Sequence, residues 1–175
     1  AMPDEMLRTL ACGAEGETVI VEGVMGLFDG THGGRGSTAA LAAKLELGVI
    51  LVIDTRHQAQ TAAAIAAGLA GELPDGATLA GVILNHIASP RHEQLIRQAL
   101  SARSITCFGA LPSAAEVTVP SRHLGLVQSA DLAAEGRLDA IIEATADLVA
   151  KHIDCLGVLA AATPLHPGLP SSPDF

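Results

Sequence analysis

Glu22 and Asp29 stand seven residues apart, the first closing the apolar run TVIVEG and the second inside the glycine-rich stretch that follows. Two carboxylates at that spacing could hold Mg²⁺, which binds through one or two carboxylates and completes its shell with phosphate oxygens and water. Both residues also have plainer uses: Glu22 as a cap for a neighbouring helix, Asp29 as an Asx turn before Gly30. The loop GTHGGRGST (residues 30–38) precedes a helical pattern, so its amides could cradle an anion at the helix N-terminus. It is not a Walker-type phosphate loop, because Gly36 stands where the lysine would precede Ser37. Asn85 closes the apolar run VILN, where an amide can donate and accept at once toward a nucleobase edge. Asn is equally at home there as a turn residue. Arg122 and His123, within VPSRHLGL, form a cationic pair suited to a carboxylate, or simply to solvent. The histidines show no i, i+4 metal spacing, and there is no G-x-S-x-G nucleophile motif.

Positioning such residues requires a scaffold, and the pattern specifies one. Apolar runs at Thr18 to Gly23, Gly48 to Thr55, Leu79 to Ile87 and Ser104 to Pro112 read as strands. Between them lie helical stretches from about Ser37 to Leu47, Gln58 to Leu69 and Pro90 to Ala102, with Ser37 or Thr38 as a cap for the first. A further helix is expected from about Ala130 to His152, and a short one from Pro3 to Cys12. Strand and helix alternating at this spacing predict an α/β fold with a doubly wound, mostly parallel sheet. Ligands of such sheets sit outside the carboxyl ends of the strands. The polar residues expected there are Glu22, Asp54, Thr55, Asn85, His86, Pro112 and Ser113. Residues 1–155 read as one domain. Residues 156–175, which include the proline-rich ATPLHPGLPSSPDF, read as a linker or tail.

Composition narrows the function. With 10 Lys and Arg against 19 Asp and Glu, the formal charge of −9 argues against a phosphate backbone as partner. Three Phe and no Trp or Tyr offer no stacking platform for bases. Cys12, Cys107 and Cys155 have no C-x-x-C spacing and read as small buried apolar residues of a reducing compartment. No stretch has the form of a signal peptide or a membrane span, so a cytoplasmic protein without nucleic acid or membrane partners is expected.

VEGVMGLFDG resembles, almost residue for residue, the signature of the cobyrinic acid or hydrogenobyrinic acid a,c-diamide synthases. LVID, GVILNHI, RHEQLIRQAL, GALPS and PSRHLGLV follow in that family's order, so the resemblance runs from about Pro3 to Ala150. It implies an ATP-binding domain of P-loop NTPase fold, similar to dethiobiotin synthetase, linked to a glutaminase domain. In such enzymes ATP phosphorylates a corrin acetate carboxylate, and ammonia released from glutamine converts the acyl phosphate to an amide. Carried over by motif, the resemblance puts Glu22 at Mg-ATP, Asp29 beside the activated carboxylate and Asn85 at the adenine; Asp54 and Pro112, by their place at strand ends, are further candidate nucleotide contacts. Arg35, Ser37, Arg56, Arg122 and His123 are the candidate contacts for the corrinoid, whose carboxylates need local cations against the global charge. The family's first strand and P-loop are expected upstream of Ala1 and its glutaminase downstream of Phe175, so residues 1–175 alone are expected to be inactive. A homodimer is compatible with this reading.

Two other readings use the same residues. A relative acting on nickel sirohydrochlorin would share fold and site, whereas the RHLGL segment disfavours dethiobiotin synthetase itself. A non-catalytic nucleotide-fold binding module is the alternative from another class.

Overall fold

The computed structural model of the chain describes residues 11, 13, 18–114 and 138–165. Within them the elements run α1 (Thr38–Leu45), β1 (Gly48–Asp54), α2 (Thr61–Gly71), β2 (Thr78–Ile87), α3 (Pro90–Ser101), β3 (Cys107–Pro112), α4 (Leu138–His152) and α5 (Cys155–Ala160). The three strands form one parallel sheet in the order β1-β2-β3. The expected α/β class and three of the four expected strands are therefore present.

Local chemistry accounts for the boundaries. Ser37 accepts from the Ala40 amide and starts α1, and Glu46 ends it in a left-handed conformation with φ 56°. Ser89 caps α3 in the same way, ahead of Pro90 at its first turn, where the missing proline N–H costs nothing. Leu100 and Ile96, one turn apart on α3, are fully buried. They pack with Leu51 and Ile53 of β1, with Val82 and Leu84 of β2, and with Ala62, Ala63 and Ala66 of α2. Three alanines without exposed surface let α2 lie close to its neighbours. Truncating Ile96 or Leu100 to Ala should cost roughly 2–5 kcal/mol, because the small residues around them leave nothing to fill the space.

Thr18–Gly23 is not a strand, which corrects the first of the four strand expectations. A strand needs a neighbour for its backbone donors and acceptors. Among the described residues this segment has none, and Ile20 is 85% exposed. The segment and β1 instead line a common cavity of about 490 Å³ that follows β1 from Gly48 to Asp54. Its walls include Val21 and Met25 on one side, Val52 on β1, and Leu41, Ile65 and Leu69 from α1 and α2. High β-propensity alone does not make a strand, and the segment finds no partner among the described residues.

The opposite edge of the sheet is closed. Ile153, just after α4, makes an antiparallel bridge to Gly109 of β3, and the Asp154 amide donates to the Phe108 carbonyl at 2.7 Å. α4 ends at His152 as expected; residues 130–137 of its expected span, and the Pro3 to Cys12 helix apart from Ala11, lie outside the described residues. Residues 155–163, mostly within the expected linker, carry α5 and a hydrogen bond from the Thr163 hydroxyl to the Glu46 carbonyl. Of the cysteines expected to be buried, Cys107 is partly buried but Cys155 is exposed, because it opens α5 on the surface; both are free thiols.

Candidate functional site

The carboxyl ends of the strands carry a polar cluster. Asp54 and Asn85 are register partners on adjacent strands, so pairing brings them side by side. Pro112 ends β3 opposite Ile87. Thr55, the next residue after β1, is fully buried, and both its amide and its hydroxyl donate to the Asn85 carbonyl, at 2.9 and 2.7 Å. That double contact ties the end of β1 to the end of β2. The carboxamide Oδ1 of Asn85 accepts from the His86 amide at 2.9 Å.

Arg56 turns back onto Asp54 in a two-pronged ion pair, with Nε and Nη2 on the carboxylate at 2.9 and 2.5 Å. Hydrogen bonding to Arg56 is the main reason that the Asp54 carboxyl is lowered to about 2. The Arg56 guanidinium is correspondingly pushed up by Asp54. Arg56 thus spends its charge on Asp54, which weighs against its expected contact with the corrinoid. The pair is solvent-exposed and contributes local order more than stability.

Two residues that sequence reasoning did not select complete this edge. Gln58 donates from its side chain to the Asp54 carbonyl at 2.6 Å, and its own carbonyl lies 2.7 Å from His92 Nε2. His92 Nδ1 accepts from the Ala88 amide at 3.2 Å, which leaves Nε2 to meet the Gln58 carbonyl. His92 thereby ties the loops after β1 and β2 to the start of α3. Their only sequence signal was position, within a few residues of strand ends.

The glycine-rich loop lies apart from those strand ends in sequence but close to α1. Asp29 is exposed and folds back on its own turn, with Oδ2 accepting the Gly26 amide at 2.9 Å and its amide donating to the Gly26 carbonyl. A Cβ at Gly26 would come within 2.6 Å of Asp29 Oδ2, so a side chain there would push the exposed Asp29 carboxylate off this turn. Asp29 therefore bonds three residues back and does not form the turn toward Gly30. Thr31 closes the next bend, with both amide and hydroxyl on the Arg35 carbonyl, while the Arg35 side chain is exposed. Ser37 is buried as the α1 cap, a placement that favours its structural reading over contact with the corrinoid. Glu22 is exposed in irregular backbone, next to Gly23, which itself abuts Thr38 of α1. Its expected place at the end of a buried strand is corrected accordingly. Arg122 and His123 lie outside the described residues.

No described group of three or more His, Cys, Asp or Glu side chains converges as a ready metal cage. Mg²⁺ seldom uses one, and the exposed Glu22 carboxylate, which no described residue engages, has the hard oxygen donors that ion takes alongside phosphate and water. Asp29 Oδ1 has no partner among the described residues.

A parallel α/β sheet with its polar residues gathered at the carboxyl edge is the arrangement in which open α/β domains hold their ligands. The chain belongs to the AAA domain family, whose model matches residues 4–121. It is 45% identical over 93% of its length to hydrogenobyrinate a,c-diamide synthase of Rhodobacter capsulatus, and 44% identical over 95% to that of Rhizobium meliloti. To the enzyme of that name from Mycobacterium bovis it is 40% identical over 85%. The resemblance read from VEGVMGLFDG and the motifs after it is thus borne out. The chain spans 38%, 38% and 33% of the lengths of these three curated relatives. No solved structure matches. No described helix is long and apolar enough to cross a membrane.

Proposed function

We propose that this chain is the nucleotide-handling part of a ligase that amidates the a and c acetate carboxylates of hydrogenobyrinic acid in cobalamin biosynthesis. The observation that carries the reading is the 45% identity, across 93% of the chain, to a relative named for that product. A carboxylate is a poor electrophile at neutral pH and must be activated. Its oxygen attacks the γ-phosphorus of ATP, ADP leaves, and an acyl phosphate forms. Ammonia, released from glutamine by a glutaminase domain outside these residues, attacks the acyl carbon; phosphate leaves with the bond electrons and a proton is lost.

Each residue has a part in this reading. Glu22 holds Mg²⁺, which neutralises phosphate charge when bound. Asp29, fixed on its Gly26 turn, orients the substrate carboxylate at the phosphate. Asn85 reads the adenine, with Asp54 and Pro112 beside it at the strand ends. Arg35, and Arg122 with His123, meet the corrin carboxylates. The cavity along β1, walled by Val21 on one side and Val52 on the other, is where a further strand of the larger protein would fit.

The test is the full-length protein assayed in parallel for ADP release, glutamate formation and diamide formation. Glu22→Gln should abolish ATP turnover, a barrier cost of roughly 3 kcal/mol or more. Asp29→Asn should keep ATP binding while amidation slows. Wild-type diamide formation by Glu22→Gln would overturn the assignment.

A further inference from the structure

The middle strand ends in an irregularity that bears on Asn85. β2 stays in register with β1 through Asp54↔Asn85, but its pairing with β3 jumps from Leu84↔Ala110 to Ile87↔Pro112. Three steps on β2 therefore match two on β3, the count of a bulge. His86 sits inside it with φ 62°, a left-handed conformation unusual within a strand. His, Asn and Asp adopt it more readily than most residues, and β-branched residues resist it.

This conformation governs what Asn85 can present. The Asn85 carbonyl is held twice by buried Thr55, at 2.9 and 2.7 Å, and its Oδ1 is held by the His86 amide at 2.9 Å. The His86 imidazole reaches across to the end of β3, with Nδ1 3.2 Å from Ser113 Oγ. No described residue engages Asn85 Nδ2. The amide orientation is thereby set: oxygen toward the backbone, with one lone pair left, and NH₂ available as a donor. We infer that His86 is a positioning residue, whose left-handed backbone aligns the Asn85 carboxamide to donate to a purine N7 and accept from an adenine N6 amine. An aligned carboxamide suits adenine, which offers an acceptor beside a donor; guanine offers two acceptors there. This rests on the nucleotide-binding reading of Asn85 proposed above.

The test uses the full-length protein, with the KM for ATP, kcat and the KM for hydrogenobyrinic acid measured for each variant. His86→Val, which resists φ 62°, should raise the KM for ATP about tenfold while kcat and the other KM stay within about twofold. His86→Gly, which adopts that conformation freely but lacks the imidazole, should return the KM for ATP to within about threefold of wild type. Should His86→Val fail to fold, His86→Asn against His86→Ala makes the same comparison, with Asn closer to wild type. Equal defects in the permissive and the resistant variants would overturn the inference, as would an unchanged KM in His86→Val. Asn85→Ala separates the two levels. If it leaves the KM for ATP untouched, the nucleotide role of Asn85 fails. If it raises that KM while His86→Val does not, only the role of His86 fails.

Discussion

The two edges of the sheet are finished in opposite ways. At β3 the chain returns after α4 to bridge Gly109 through Ile153, and the Asp154 amide takes up the Phe108 carbonyl. At β1 no described strand pairs with the outer edge, Val52 is 65% exposed, and a cavity follows the strand along its length. Exposed strand edges invite pairing with other chains, and proteins usually blunt or cover them. One edge is thus bridged from within the described residues, whereas the other opens onto a cavity with apolar walls. The candidate catalytic loop adjoins the open side: Val21, Gly23, Met25, Gly26 and Leu27 line the same cavity. The bridged strand and the glycine-rich loop thus lie at opposite edges of the sheet.

Substituting one glycine on each edge strand gives the largest contrast. A Cβ at Gly109 would strike the His152 carbonyl oxygen and come within 2.8 Å of Ile153 Cα, both backbone atoms that cannot swing aside. Gly109→Val should destabilise the chain by about 3 kcal/mol, lowering Tm by several degrees in a thermal melt. At Gly48, on the open strand, the nearest atoms are Ala80 Cβ at 3.2 Å and the Ala161 carbonyl oxygen at 3.4 Å. Gly48→Ala should change stability by about 1 kcal/mol or less. Equal losses would mean that β1 is as tightly closed as β3.

A smaller effect is expected at the covering segment itself. Asp154 caps α5 by accepting from the Gly157 amide at 2.9 Å. Asp154→Ala should cost about 1 kcal/mol in denaturant unfolding, since the cap is lost while the backbone bond to Phe108 remains. Amide exchange at Asp154 should speed up in the same variant. Unchanged exchange there would show that the cover of β3 does not depend on α5.

The smallest effect concerns the aspartate at the end of the open strand. Asp54 is held at about 2 chiefly by its hydrogen bond to Arg56. Because the folded value is depressed, the linked stabilisation is present above the ordinary value of 3.8 and is lost as pH falls through about 2. A carboxyl-carbon NMR titration should place the Asp54 midpoint near 2, and Arg56→Ala should return it toward 3.8. A wild-type midpoint near 3.8 would dissolve the ion pair and free Arg56 for substrate.

Much of this molecule was legible in the order of its residues. Apolar runs closed by Asp54, Asn85 and Pro112 gave three strands, Ser37 before an alanine-rich stretch gave a helix start, and VEGVMGLFDG pointed to the family. These signals are local, carried by side-chain period and capping chemistry within a few residues. What failed or was missed is non-local. TVIVEG has the composition of a strand, but pairing decides whether it becomes one, and that depends on a neighbour far away in sequence. Arg56 looked available to a substrate until the turn after β1 folded it back onto Asp54. Gln58 and His92, 34 residues apart, meet only because β1 and β2 lie side by side. Residue order alone placed Asp54, Asn85 and Pro112 at the carboxyl edge of the sheet, but it placed Glu22 there too, wrongly. The tertiary structure alone decided which of them are already engaged there, because a hydrogen bond between distant residues exists only once packing has brought them within about 3 Å.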